Sequence, residues 1–131
     1  MNQFCKSFCV DDSLALVDSL ALVDEDVIAR LRALDDPKDE VSFVRQMINE
    51  FITSVPGIVS NLKSACVQKN EQEIVYLAHR LAGFSLSIGG NRFAALCKRV
   101  ETAPISAAEC KELFSTLERH LSELFVALKN Y

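Results

Sequence analysis

Along most of the chain, apolar residues recur at steps of three and four, the spacing of one helix face. The longest run is Val44, Ile48, Phe51, Val55, Ile58, Leu62 and Cys66. A second comprises Ile74, Leu77, Leu81, Phe84 and Ile88, and a third Phe93, Leu96 or Cys97, and Val100. The last is Leu113, Leu117, Leu121, Leu124 and Leu128, and a short pattern of Val27, Leu31 and Leu34 precedes them all. No stretch alternates apolar and polar residues as a half-buried strand would.

Local signals bound these elements. Asp24 suits an N-cap, giving a short helix over about residues 24–34. Asp36, then Pro37 and further acids, predicts the start of the longest helix. Pro56 and Gly57 fall inside it, and proline ordinarily ends a helix by removing one backbone bond. The stripe keeps its phase across Ser54 to Val59, which favours one kinked helix from Pro37 to Gln68, about 48 Å long. Two helices joined at Ser54 are the alternative. Asn70 with Glu73, and Ser106 with Glu109, have the spacing of capping boxes. Gly89 and Gly90 stop the second long helix, and another starts near Asn91.

Four long helices with short connections imply an all-α fold: an antiparallel four-helix bundle over residues 24–131, with additional short N-terminal helices. Residues 1–23 read as a partly ordered N-terminal extension. It carries "DSLALV" twice, at 12–17 and 18–23, too short a duplication for a solenoid.

Composition narrows the function classes. The chain has 131 residues, enough for one domain, and half are apolar. Its net charge is −4, and its Lys and Arg residues are scattered, which argues against nucleic-acid binding. No apolar run reaches the ~18 residues of a membrane span, and the N-terminus makes a poor signal peptide. A cytoplasmic protein with no membrane contact is expected. The five cysteines are odd in number and widely spaced, against a disulfide framework. Cys5 and Cys9 could share a helix face, but nothing nearby completes a metal set. Cys66 and Cys97 fall on apolar stripes and read as small hydrophobes. No phosphate-cradling loop, nucleophile elbow or metal cluster points to a hydrolase or kinase.

His79 is the candidate for chemistry. It stands two residues from both Leu77 and Leu81, about 160° from each on the helix wheel, facing away from the core stripe. Ala82 and Gly83, one turn on, are small, so the ring is expected to stand clear. A glycine inside a helix costs ~1 kcal/mol relative to alanine, which suggests a use for its smallness. Val75 and Leu86 border the same face, giving the character of a docking surface. A lone exposed histidine is most often simply solvated, so spacing alone does not assign it. His120, beside Leu117 and Leu121 with no small neighbours that clear it, reads as a boundary residue near the stripe's margin.

"AHRLAGFSLSIGGNRFAALCKRVE", Ala78 to Glu101, resembles the signature of histidine-phosphotransfer (HPt) domains of bacterial phosphorelays. That pattern is Ala-His-x-Leu-Lys-Gly, a short gap, a glycine, then a helix with Leu, Ala, Cys and Glu. His79, Leu81, Gly83, Gly89, Ala95, Leu96, Cys97 and Glu101 fit it. "FVRQMINEFITSVPGIVSNLKSA" and "VIARLRAL" resemble the family's earlier helices, so the likeness covers about Asp24 to Tyr131. One position departs: where the family usually has a lysine three residues after the histidine, this chain has Ala82. Arg80 is about 100° further round the helix.

The resemblance implies a phosphoryl carrier rather than an enzyme. His79 would take the group from an aspartyl phosphate of a response-regulator receiver domain, or return it to one. Arg80, Ala82, Gly83, Val75 and Leu86 would support the phosphate or dock the partner. Receiver domains, a hybrid histidine kinase or both are the implied partners of a monomeric chain. No cofactor is expected on this chain, and Mg²⁺ is expected on the receiver. The second reading is a helical adaptor that docks a receiver or another signalling protein and never takes phosphate.

Overall fold

The computed structural model describes residues 21–38, 40, 42–102 and 107–131, without the side chains of 107–111. Five helices account for most of them: α1 (Glu25–Arg32), α2 (Phe43–Val67), α3 (Glu71–Ser87), α4 (Asn91–Thr102) and α5 (Ala107–Leu128). There is no strand among the described residues. Helices α2 to α5 form a closed ring of neighbours, α2 on α3, α3 on α4, α4 on α5 and α5 back on α2. Turns of a few residues join α2 to α3 and α3 to α4, which makes these neighbours antiparallel. The expected bundle is therefore present, with one short helix, α1, packed against α2.

The core consists of the predicted stripes. All seven positions named on α2 are buried, as are Phe93, Leu96, Cys97 and Val100 on α4 and all five leucines on α5. On α3, Leu77, Leu81 and Ile88 are buried, while Ile74 and Phe84 are partly covered. Phe51 is the hub, meeting Phe84 edge-on at 5.2 Å and Phe125 at 5.9 Å. Helix α2 runs unbroken through Pro56. Pro56 lies on its exposed side, while Val55, Ile58, Val59 and Leu62 are buried around it. At about 1.5–3 kcal/mol for each buried side chain, they offset the ~3 kcal/mol a mid-helix proline costs.

Three boundary expectations are corrected. Helix α2 begins at Phe43, not Pro37, with the Ser42 side chain accepting from the Arg45 N–H at 3.0 Å. Asp36 instead accepts from the Lys38 N–H at 2.9 Å, and Asp35 takes the Phe43 N–H at 2.6 Å. Short acidic side chains here hold a turn against the helix start, as they readily do. The helix has 25 residues, about 37 Å rather than 48 Å. Helix α1 ends at Arg32, so Leu34 is exposed, and its buried residue is Ile28. His120 is not a boundary residue: it is only 2% exposed. A bundle helix packs on two neighbours, so its buried sector is wider than one leucine stripe.

Asp24 caps α1 as expected, accepting from the Asp26 N–H at 3.0 Å. Its backbone N–H also donates to Gly89 O at 2.7 Å, and its carboxylate accepts from Asn91 Nδ2 at 3.0 Å. That clasp ties α1 to the α3–α4 turn. Gly89 has φ +81°, and a Cβ there would come within 2.9 Å of the Asp24 carbonyl, so only glycine fits. The Asn70 cap is present too, accepting from the Glu73 N–H. Leu22 and Val23, at the end of the second "DSLALV" copy, pack against the core. Residues 12–20 of the duplication, Cys5, Cys9 and Ser106 of the Ser106–Glu109 capping box lie outside the described residues.

Candidate functional site

Helices α3 and α4 meet closely because α3 turns its smallest residues toward α4. Ala78, Ala82 and Ser85 recur at steps of four and three along one side of α3, and all are buried. Phe84 lies on the other flank, where it meets Phe51 of α2. The two helices pack extensively, and their exposed margins come within side-chain reach of each other at His79 and Glu101.

His79 occupies the α3 margin, with 70% of its side chain exposed. Its Nδ1 lies 2.9 Å from Glu101 Oε2 on α4. A carboxylate can only accept, so Nδ1 is the nitrogen that donates, and in the neutral form of the ring the lone pair lies on Nε2. The interaction fixes the ring plane, the tautomer and which nitrogen faces solvent. Nε2 has no hydrogen-bond partner among the described residues. The arrangement suits a nucleophilic nitrogen reached from outside.

The other predicted residues divide. Gly83 is exposed, and a Cβ there would meet nothing within 4 Å. Its smallness therefore serves no internal packing and leaves the face beside His79 flat. Val75 and Leu86 are 44% and 43% exposed, and they border His79 along the helix as expected. Tyr76, which the spacing argument passed over, is 56% exposed on the same face. Ala82 is corrected: it is 1% exposed and belongs to the seam with α4, not to the surface. Arg80 is exposed, but its guanidinium lies over the Tyr76 ring, 5.7 Å from the centroid, rather than beside His79.

Glu101 is the residue whose role sequence reading missed. It lies 22 positions from His79, and only the α3–α4 register brings the two together. Burial pushes the Cys97 thiol well above its ordinary pKa, which leaves it the unreactive hydrophobe expected. Among the described residues no cluster of His, Cys, Asp and Glu could hold a metal ion. No helix among them is long and apolar enough to cross a membrane. A groove of about 350 Å³ between α2 and α5 is lined by Pro56, Val59, Lys63, Glu118 and Phe125 among others, and no residue of the His79 face reaches it.

With this geometry in hand, comparison with known proteins is specific. The family model described as Hpt domain matches residues 46–129, a span containing both His79 and Glu101. Among solved structures, the chain is similar to histidine-containing phosphotransfer protein B (HptB) from Pseudomonas aeruginosa PAO1. The TM-score is 0.70 at 22% identity, over 86% of this chain and 95% of that one. No curated protein matches.

Proposed function

The chain belongs to the Hpt domain family, the phosphocarriers of phosphorelays, and on that premise we propose that His79 Nε2 is the atom that carries the phosphoryl group. The observation behind this reading is the one-sided engagement of the ring: Nδ1 held by Glu101 at 2.9 Å, Nε2 open, 70% of the side chain exposed.

The Nε2 lone pair attacks the phosphorus of an aspartyl phosphate on a receiver domain. The N–P bond forms, the acyl O–P bond breaks, and the aspartate leaves as a carboxylate. Nδ1 keeps its proton throughout, so the ring becomes positive as Nε2 is phosphorylated. Glu101 then stabilises that charge as a charge-assisted acceptor. Return of the group to a second receiver is the same step reversed. The chain contributes position, tautomer and access. The receiver contributes Mg²⁺ and most of the charge stabilisation of a loose phosphoryl-transfer transition state. Val75, Tyr76 and Leu86 give the receiver an apolar landing area, and Gly83 lets its phosphoryl-bearing loop come close. In this role the chain acts as a cytoplasmic monomer and is a carrier, not an enzyme.

The second reading, an adaptor that binds receivers without taking phosphate, is favoured by the uncharged, buried Ala82. One experiment separates the two. The protein is mixed with a receiver labelled on its aspartate. A carrier acquires acid-labile, alkali-stable label, and His79→Gln abolishes it. Receiver binding without any label in the wild type would establish the adaptor.

A further inference from the structure

A phosphoryl group on Nε2 brings up to two negative charges to a face where Glu101 already contributes one. On α3 the positions nearest the ring supply no opposing charge: Ala82 and Gly83 are uncharged, and Arg80 lies over Tyr76. The question is which cation the fold offers instead.

The register answers it. The His79–Glu101 interaction pairs these two positions across antiparallel helices. Moving three residues toward the Gly89–Gly90 turn advances ~4.5 Å on each helix. It leads from His79 to Ala82 on α3 and from Glu101 to Lys98 on α4. Lys98 therefore stands across the seam from Ala82, one turn from Glu101. It is about 60° further round α4 than Glu101, on the outer margin rather than in the core. Lys98 is exposed, and its ammonium has no partner among the described residues. Arg92 and Arg99, the other cations of α4, sit about 160–180° from Glu101 on the helix wheel. A lysine stem spans the remaining gap while keeping its charge in water.

We propose that Lys98, supplied from α4, is the residue that neutralises and positions the phosphoryl group on His79. It is a positioning residue: it meets the group after transfer and need not touch the ring. The inference rests on His79 as the phosphorylated residue, and its test is chosen so that it can fail separately.

The test loads His79 with phosphoramidate, a small donor whose phosphoryl group passes to the ring with release of ammonia, and follows the phosphohistidine ³¹P signal against pH. A nearby ammonium favours the dianion and so lowers the midpoint of the phosphoryl ionisation. Lys98→Ala is expected to raise that midpoint by about 0.3–0.5 pH unit, an about two- to threefold change in ionisation constant. Lys98→Glu should raise it further, Lys98→Arg should keep the wild-type value, and Lys63→Ala, which removes equal charge from a different face, should leave it unchanged. The same order is expected in the phosphoryl-exchange ratio with a receiver. Wild-type midpoints in both Lys98→Ala and Lys98→Glu, or a shift produced by Arg80→Ala instead, would overturn the proposal. A chain that is loaded by phosphoramidate but never by a receiver would remove the carrier reading while leaving the Lys98 measurement readable.

Discussion

Glu101 on α4 holds Nδ1 of His79 on α3 at 2.9 Å, and that contact decides which face of the imidazole the solvent sees. Without it either ring nitrogen could carry the proton of the neutral ring, and nothing on α4 would fix the ring's orientation. With it, one nitrogen is a donor already in use and the other is an exposed lone pair.

Removing the acceptor should therefore slow transfer without preventing it. Glu101→Ala is expected to reduce the rate of phosphoryl uptake from a receiver about fivefold, the equivalent of ~1 kcal/mol for a partly exposed charged hydrogen bond. Glu101→Gln, whose amide oxygen can still accept from Nδ1, should lie between that and the wild type. Rapid-quench kinetics check both, with circular dichroism confirming an unchanged fold.

Gly83 separates access from stability. Nothing surrounds its Cβ position, so Gly83→Ala should raise stability by up to ~1 kcal/mol through helix propensity. Gly83→Leu should also fold. It places a bulky side chain one turn from His79, and transfer from a receiver should fall tenfold or more while loading by phosphoramidate changes little. Denaturant melts and labelling rates on the same samples check the contrast.

Ala82 behaves oppositely. At 1% exposure against α4, it has no room for a larger apolar side chain. Ala82→Leu is expected to cost about 1–3 kcal/mol by overpacking and to weaken the His79–Glu101 contact by spreading the helices. A lowered midpoint in urea, with faster loss of α3–α4 amide protection in hydrogen exchange, checks it.

The contrast between residues 82 and 83 marks how far the sequence carries. Stripe phase located the four long helices and nearly all of the core, because each helix buries one dominant apolar row. The same wheel placed His79 correctly, since it lies opposite that row. It misplaced Ala82 and His120, both of which are buried although they lie off the dominant apolar row. Which flank of a helix meets a second partner depends on bundle topology, and small residues such as Ala78, Ala82 and Ser85 announce it only weakly. Glu101 was visible as part of a motif, but its role needed the inter-helix register. The start of α2 was misread because Asp35, Asp36 and Ser42 all offer caps, and tertiary placement selects among them.

The clasp between α1 and the α3–α4 turn carries an acid dependence. The Asn91 side-chain hydrogen bond, with help from the Asp26 N–H, lowers the Asp24 carboxyl below its ordinary pKa. A depressed folded-state pKa contributes stability that is present above the unfolded value and lost as pH falls through the folded one. The wild type should therefore lose this contribution from about pH 4 downward, and Asp24→Asn should be less stable at neutral pH with a flatter acid limb. Melts between pH 7 and pH 2 check the slope. Gly89→Ala, forced to positive φ against the Asp24 carbonyl, should cost about 1–3 kcal/mol at any pH.

The most direct measurement is the position of phosphorus on the ring. Protein carrying ¹⁵N in its histidines is phosphorylated by a receiver, and phosphorus–nitrogen couplings and ring nitrogen shifts are recorded. The account predicts one phosphohistidine, at His79, with phosphorus on Nε2 and a proton retained on Nδ1. Phosphorus on Nδ1, or on any residue other than His79, would contradict it.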